Sequence, residues 1–110
     1  MIYQVRLQPA AVEDLDVAYQ YAAQNAPSPA ARWLERFQTA LQTLGHNPER
    51  CPLAPENARS SRILQQYLFG KRPHVFRAIY TLEGDTIWVL RIRRAQRRTL
   101  SAEDLGEYGP

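Results

Sequence analysis

The side chains with the clearest chemical capacity in this sequence are arginines near its carboxyl end. Thirteen of the fourteen basic residues are arginine, and five of them lie between Arg91 and Arg98. A guanidinium group stays protonated at neutral pH and donates two parallel hydrogen bonds to a phosphate or a carboxylate. Because five positive charges at this spacing repel one another, the segment predicts a site for an anion or an acidic partner. The alternative is a solvated basic face that has no partner.

The net charge of +3 is distributed unevenly along the 110 residues. Residues 1–58 carry four bases and six acids, residues 59–98 carry ten bases and two acids, and residues 99–110 carry three acids and no base. The basic part therefore lies between a near-neutral amino-terminal half and an acidic tail. We predict that Glu103, Asp104 and Glu107 of this tail fold back over the arginines when no partner is bound.

Other kinds of reactive site have little support in the sequence. The single cysteine, Cys51, cannot form an internal disulfide or anchor a zinc site of the common multi-cysteine kind. No metal-ligand motif, glycine-rich phosphate loop or Ser-His-Asp pattern occurs, so we expect no metal and no cofactor. No apolar run is long enough to cross a bilayer, and the amino terminus alternates like a strand, which predicts a cytoplasmic protein with no membrane partner.

The hydrophobic pattern predicts a strand at residues 2–7, followed by two helices. Apolar residues recur every three or four positions from Pro9 to about Asn25, and again from a Ser28 cap with Pro29 to Gly45. The short connection between these stretches requires an antiparallel helical hairpin. The predicted buried faces are Val12, Leu15, Tyr19 and Ala22 in the first helix, and Ala30, Trp33, Leu34, Phe37, Leu41 and Leu44 in the second.

After a proline-rich loop at residues 47–61, the pattern changes to the alternation that is typical of strands. We predict strands at residues 62–69, 74–82 and 86–94, with a turn at residues 70–73 and a tight hairpin at residues 83–85. Three antiparallel strands with a helical hairpin on one face form an α+β fold of two layers. In the tail, Ser101 and Asp104 form a weak capping box for a short final helix.

The hairpin loop between the last two strands decides which arginines share a face of the sheet. If the loop holds an even number of residues, Leu82 pairs with Ile87, and Arg77 lies opposite Ile92 on a face with Arg94. A three-residue loop would instead place Arg77 opposite Arg91 and beside Arg93. Either register predicts an arginine pair on one face of the middle and last strands.

Four segments carry a resemblance to a known family: Ala11-Val12-Glu13-Asp14-Leu15 in the first helix, Leu44 with Pro48 at the end of the second, Val75-Phe76-Arg77-Ala78-Ile79-Tyr80 in the middle strand, and Ile87-Trp88-Val89-Leu90-Arg91-Ile92-Arg93-Arg94 before Arg97-Arg98. In this order, over residues 2 to about 98, they resemble the RelE/ParE superfamily of bacterial type II toxins. The resemblance implies a β-α-α-β-β-β toxin domain at residues 1–98, followed by the acidic tail at residues 99–110.

The resemblance also implies a growth inhibitor that is neutralised by a cognate antitoxin. Antitoxins of this superfamily wrap an acidic, partly disordered segment around the toxin and often add a strand to its sheet. The resemblance further implies that operator DNA is bound only through the antitoxin.

Members that resemble RelE cut messenger RNA on the ribosome, and only part of their pattern is present in this chain. Arg77 falls on their middle-strand arginine, and Arg94 or Arg97 fits their later basic position. Their strand lysines and carboxyl-terminal tyrosine have no clear counterpart, because the nearest lysine is Lys71 in the turn and Tyr108 lies close to the end of the chain.

RNA cleavage through the 2′-hydroxyl needs a base, an acid and a cation for the crowded phosphate. Arginine supplies the cation, but its pKa lies too far above neutrality for the other two roles. His74, three residues before Arg77, is of the residue type that most often serves as acid or base, and Tyr80, Tyr67 and Glu103 are further candidates. Tyr80 and Trp88 are better explained as core aromatics than as platforms for RNA bases. An enzyme of this type would be a metal-independent mRNA endoribonuclease with a site formed by His74, Arg77, Arg94 and Arg97.

Members that resemble ParE inhibit DNA gyrase, and the resemblance implies no hydrolytic residues for them. The long helical hairpin and the missing RelE-type lysines and tyrosine favour this interpretation. A third hypothesis is a non-catalytic nucleic-acid-binding module that uses the basic sheet. The predicted contacts for antitoxin or nucleic acid are Lys71, Arg72, Arg77, Arg91, Arg93, Arg94, Arg97 and Arg98.

Overall fold

The computed structural model of this chain describes residues 2–96, 99–101 and 104–105. Its elements are β1 (Gln4–Leu7), α1 (Pro9–Ala23), α2 (Pro27–Gln42), three short 3₁₀ helices (Thr43–Gly45, Pro48–Arg50 and Pro55–Arg59), β2 (Gln65–Phe69), β3 (Phe76–Glu83) and β4 (Thr86–Arg94). This order confirms the predicted α+β fold. No described helix combines the length and the apolar character that a membrane-spanning helix requires.

The four strands form one sheet in the order β1-β4-β3-β2. β3 runs antiparallel to both β2 and β4, whereas β1 runs parallel to β4 and makes the sheet mixed. β1 pairs with β4 only from Thr86 to Val89. In the described part of the chain, the second half of β4 is therefore an edge of the sheet with no strand beside it.

The two helices cover one face of the sheet and form the larger core, in which Leu15, Phe37 and Leu41 pack against β3 and β4. The buried residues of α1 are Ala11 and Leu15, whereas the predicted Tyr19 and Ala22 are half-buried and Val12 is 53% exposed. Ala11 lies one helical turn before Leu15 and therefore shares its face. A small side chain thus occupies the close contact, and Val12 is directed toward solvent.

α2 begins earlier than predicted, at Pro27. Its N-cap is Ala26, without a capping hydrogen bond from a side chain, so the expected Ser28 cap is wrong. Pro27 and Pro29 both lie in the first turn, where amide hydrogens have no partner within the helix and proline is tolerated.

The opposite face of the sheet carries a second, smaller core. It contains Leu64, Ile79 and Leu90 together with Leu100 and Leu105. The last two belong to the carboxyl-terminal segment, of which residues 99–101 and 104–105 are described. The last residues of the described chain therefore return to the sheet and cover its second face.

The predicted capping box is present in this carboxyl-terminal segment. The Ser101 amide donates to Oδ2 of Asp104 at 3.0 Å, and the Asp104 amide donates to Oγ of Ser101 at 3.1 Å. Glu103 and Glu107, which we predicted to lie over the arginines with Asp104, are outside the described residues.

Candidate functional site

A two-residue loop, Gly84-Asp85, joins β3 to β4. Gly84 has a φ of +61°, a left-handed conformation that glycine adopts without a steric penalty and that a type II′ hairpin requires at its first loop position. Leu82 consequently pairs with Ile87, as predicted for an even loop.

A β-bulge then changes the register toward the other end of the hairpin. Leu90 is an extra residue on β4 that has no partner on β3. Arg77 consequently lies opposite Arg93, and both predicted partners, Ile92 and Arg91, are wrong.

Arg77 is buried against a carboxylate. Only 4% of it is exposed, and its Nη1 and Nη2 atoms donate to Oε1 and Oε2 of Glu56 at 2.8 and 2.5 Å. Nη1 also donates to Oε1 of Gln66 at 3.3 Å. Glu56 is 2% exposed and accepts a further hydrogen bond from the Leu100 amide at 2.7 Å. The pair thus joins the 3₁₀ helix Pro55–Arg59 to β3 and to the carboxyl-terminal segment.

The Glu56 carboxyl of this pair is ionised at neutral pH. Burial alone would raise the pKa of Glu56, but the hydrogen bonds from Arg77 and the Leu100 amide outweigh it and hold that pKa below its usual value of 4.5. The Glu56 carboxylate therefore neutralises Arg77. Sequence reasoning missed Glu56, because it lies 21 residues before Arg77 in a loop without periodicity.

Arg91 has a carboxylate partner of its own, Asp14 of α1. Its Nε and Nη2 atoms donate to the two Asp14 oxygens at 2.7 and 2.9 Å, and Nη1 donates to the Asp104 carbonyl at 2.9 Å. The hydrogen bonds from Arg91 to Asp14 raise the pKa of Arg91. Asp14 also accepts the Ile92 amide at 2.9 Å and so caps the edge of β4 where β1 has ended. Arg91 therefore fastens α1 and the carboxyl-terminal segment to the sheet.

Four of the predicted binding residues lie at one end of the sheet, and the described part of the chain provides no ion pair for any of them. They are Lys71, Arg72, Arg93 and Arg94. We call these four residues the cationic end. Arg94 contacts its surroundings through Nη2, which lies 3.4 Å from Nδ1 of His74 and 3.5 Å from the Pro73 carbonyl. The buried Nε atom of Arg94 has no described hydrogen-bond partner.

The candidates for acid and base catalysis lie in separate places. His74 is exposed and contacts Arg94, whereas Arg77 is held by Glu56. Tyr80 is fully buried, donates to the Pro48 carbonyl and has its pKa raised by burial, which agrees with its assignment as a core aromatic. Tyr67 lies under the Arg50 guanidinium. Arg97, Arg98 and Glu103 are outside the described residues.

A groove of about 420 Å³ runs between α1 and the open half of β4. Two exposed apolar residues of α1 lie on it, Val17 at 61% and Tyr21 at 69% exposure. Its other lining residues are Glu13, Asp14, Ala18, Phe76, Ile92, Arg93 and Arg94. The sequence prediction missed Val17 and Tyr21, because it used the apolar pattern of α1 only to identify the face that packs on the sheet.

Comparison with known protein families finds one whose model matches most of the chain. The family described as the ParE toxin of the type II toxin-antitoxin system parDE matches residues 5–99, which include both helices, β2, β3, β4 and all of β1 except Gln4. The chain belongs to the ParE toxin family. No curated protein shows significant sequence similarity to it.

Two solved structures are similar to this chain, and one of them shares its fold. The chromosomal ParDE toxin-antitoxin system from P. aeruginosa is 17% identical, has a TM-score of 0.68, and matches over 86% of this chain and 98% of its own. The toxin-antitoxin complex RelBE2 from Mycobacterium tuberculosis is 21% identical, with a TM-score of 0.49, over 86% of this chain and 99% of its own. In this ParE-family chain, the match to the family stops just before Leu100, the residue that donates to Glu56.

Proposed function

We propose that this chain inhibits DNA gyrase without hydrolytic chemistry of its own, and that a cognate antitoxin neutralises it. The observation that carries the proposal is the state of Arg77, which the ribonuclease alternative needs at the RNA phosphate. Both terminal nitrogens of Arg77 are bound to Glu56, and the side chain is almost completely buried. Removing one member from such a buried pair typically costs about 3–5 kcal/mol, so Arg77 is not available to a phosphate.

The positions of the other candidate catalytic side chains also favour gyrase inhibition over RNA cleavage. An RNA-cleaving site needs its base, acid and cation within hydrogen-bond reach of one phosphate. His74 and Arg94 lie together at the cationic end, while Arg77 lies in the interior with Glu56. The described residues therefore offer cations for binding but no assembled acid and base.

The antitoxin part of the proposal rests on the family and on the cationic end, for which the described residues provide no ion pair. The matching family is described as the toxin of a toxin-antitoxin system, and the similar ParDE structure is described as such a system. The cationic end is suited to an acidic partner, because an interface arranges opposite potentials against each other.

Two reactions with purified protein test the proposed target. In gyrase supercoiling reactions, we expect loss of supercoiled product and accumulation of broken DNA linked to gyrase. In reactions with ribosomes carrying a defined message, we expect the message to stay intact. Cleaved message, with gyrase unaffected, would replace the proposal by the ribonuclease alternative.

The four residues of the cationic end, which have no ion pair among the described residues, favour a second candidate, a module that binds nucleic acid without cleaving it. Its affinity for a single-stranded RNA would fall with salt, with a slope in log units of about 0.7 for each phosphate contacted. Binding of this kind, without an effect on gyrase or on ribosome-bound message, would favour the module. An affinity that does not change with salt would exclude it.

A further inference from the structure

The cationic end is built around a tight turn between β2 and β3. Residues 70–74 of this turn are all exposed, and the His74 amide closes it by donating to the Lys71 carbonyl at 2.7 Å. Gly70 has a φ of +103°, and a side chain at this position would collide with the His74 carbonyl, so the turn requires glycine there. The turn therefore presents Lys71 and Arg72 to solvent on a backbone of defined conformation.

The same turn is joined to the end of β4. Nη2 of Arg94 lies 3.5 Å from the Pro73 carbonyl, and Nε2 of Gln96 donates to that carbonyl at 3.4 Å. The Ala95 amide donates to the Val75 carbonyl at 2.8 Å. The four cations are therefore held at one end of the sheet by segments that hydrogen bonds connect.

The two arginines of β4 lie on different faces of the sheet. Arg94 is opposite Phe76, which packs against the larger core on the helix side. Arg93 is opposite Arg77, whose side chain binds Glu56 on the other face. Because residues directly opposite each other in a sheet share a face, the side chains of Arg93 and Arg94 start from opposite faces. A partner that neutralises both must present anions on two sides of the sheet end.

Duplex DNA presents anions in this arrangement. Each of its grooves lies between two phosphate backbones, and the major groove, about 12 Å wide, admits a two-stranded β-ribbon. Neighbouring strands are about 4.8 Å apart, so the exposed turn of β2 and β3 is narrow enough to enter such a groove. The cations on its two sides then approach one backbone each. An extended acidic segment that follows one face of the sheet would reach only one of the two β4 arginines.

The cationic end has no aromatic platform for unpaired bases. Proteins that bind single strands combine cations with exposed aromatic rings on which the bases stack. Residues 70–75 and 93–96 contain no Phe, Tyr or Trp. Phe69 and Phe76, which flank the turn, pack against the larger core. Paired strands therefore suit this end of the sheet better than a single strand.

The neighbouring groove is less suited to a phosphate. Glu13 and Asp14 of α1 lie on it, and Asp14 already binds Arg91. The exposed ring of Tyr21 shares the groove with these carboxylates. Because carboxylates repel a phosphate backbone, DNA is expected on the turn and the end of β4 and away from α1.

We infer that the cationic end binds the phosphate backbone of the duplex DNA on which gyrase acts. The inference rests on the proposed inhibition of gyrase and adds DNA as a second partner of the inhibitor beside the enzyme. Phosphate contacts release condensed counterions, so this part of the binding weakens as salt is added, with a slope in log units of about 0.9 for each phosphate contacted.

Charge variants in gyrase supercoiling reactions test the inference. We expect the double variant Lys71→Gln, Arg72→Gln to raise the concentration needed for half inhibition about tenfold or more, because two phosphate contacts are lost. The control double variant Arg32→Gln, Arg36→Gln removes the same charge from exposed positions of α2 and should raise it less than about twofold. Arg72→Lys should retain inhibition, since an ammonium group also contacts a phosphate. Thermal unfolding of each variant verifies that the fold is retained.

A photo-reactive group beside the turn identifies what the cationic end contacts. Benzoylphenylalanine in place of Gln96, which contacts the Pro73 carbonyl of the turn, should form a cross-link to labelled duplex DNA in the presence of gyrase. The same group in place of Gln38, an exposed residue of α2, is the control and should give no cross-link to DNA.

The outcomes separate the DNA contact from the proposed function. If the unaltered chain does not inhibit gyrase, the proposed function is wrong and the inference falls with it. If the chain inhibits gyrase and Lys71→Gln, Arg72→Gln inhibits equally well, the DNA contact is wrong and the proposed function stands. A cross-link from position 96 to a gyrase subunit instead of DNA would overturn the inference and assign the cationic end to an acidic surface of the enzyme. Inhibition without any cross-link from position 96 would also overturn it.

Discussion

Arg77 and Glu56 form a charge pair that water barely reaches. Both charges were removed from solvent on folding, and the hydrogen bonds that Glu56 accepts hold the pKa of its carboxyl below the usual value. An apolar pair of the same volume is often as stable as a buried ion pair, whereas a single buried charge is not. The pair therefore does more to fix the 3₁₀ helix Pro55–Arg59 on β3 than to increase the total stability.

Removal of the Glu56 charge should destabilise the protein in a pH-dependent way. We expect Glu56→Gln to lower the free energy of unfolding by about 3–5 kcal/mol at neutral pH, because Arg77 is left buried without a counterion. Since the pKa of Glu56 is lowered by folding, its contribution is present above the unfolded value near 4.5 and is lost as the pH falls through the folded value. Urea unfolding at several pH values should therefore show the difference between variant and parent becoming smaller in acid.

The surface pair of Arg62 and Glu83 provides the matched control for Glu56→Gln. Its nitrogen and oxygen atoms are 3.8 Å apart and more than half of the Glu83 side chain is exposed, so Glu83→Gln should change stability by less than about 1 kcal/mol. The double variant Glu56→Leu, Arg77→Met should be more stable than Glu56→Gln alone. Equal stability of Glu56→Gln and the parent at neutral pH would show that the pair is not a buried ion pair in solution.

At the level of elements, the sequence predicts strand bounds and strand pairing correctly where a single local pattern determines them. The bounds of β4 and the pairing of Leu82 follow from alternation and from the glycine in the hairpin loop. The bulge at Leu90 could not be predicted, because it lies in the apolar run Trp88-Val89-Leu90, where alternation is lost. Pairs such as Asp14 with Arg91, which are 77 residues apart, leave no local signal at all. The sequence therefore located the arginines correctly on their strands but not the partners that bind them.

The carboxyl-terminal segment is expected to be part of the fold. Leu100 and Leu105 supply a large share of the second core, and the Leu100 amide holds Glu56. We predict that Leu100→Ala lowers the free energy of unfolding by about 2–5 kcal/mol, as for other buried leucines. Trp88 packs against this core. In a Trp33→Phe background, Leu100→Ala should therefore shift the Trp88 fluorescence toward longer wavelength.

Leu68→Ala is the control for Leu100→Ala, because Leu68 is an exposed leucine on the edge strand β2. It should change stability by no more than about 0.5 kcal/mol and leave the Trp88 emission unaltered. If Leu100→Ala is equally harmless, the segment does not pack on the sheet in solution.

For the whole molecule, a net charge of +3 understates the field at one end of the sheet. The carboxylates of Glu56 and Asp14 neutralise Arg77 and Arg91, and no described carboxylate pairs with the cationic end. Among the described residues, positive charge without a carboxylate partner is thus concentrated at the cationic end, which suits an acidic partner. Such a field acts mainly on the rate of association, because it draws an opposite charge over distances up to a Debye length, about 10 Å at 0.1 M salt.

We therefore predict that association with the antitoxin slows as salt is added, and that the cationic end is responsible. The double variant Arg93→Gln, Arg94→Gln should lose most of the salt dependence of the association rate and be slower by about tenfold at low salt. The control double variant Arg32→Gln, Arg36→Gln removes the same charge from exposed positions of α2. This control should retain most of the salt dependence of the association rate. Stopped-flow measurements over a series of salt concentrations give the slopes directly. If the two double variants show equal slopes, net charge rather than the cationic end steers the partner, because only a local field distinguishes two surfaces of equal charge.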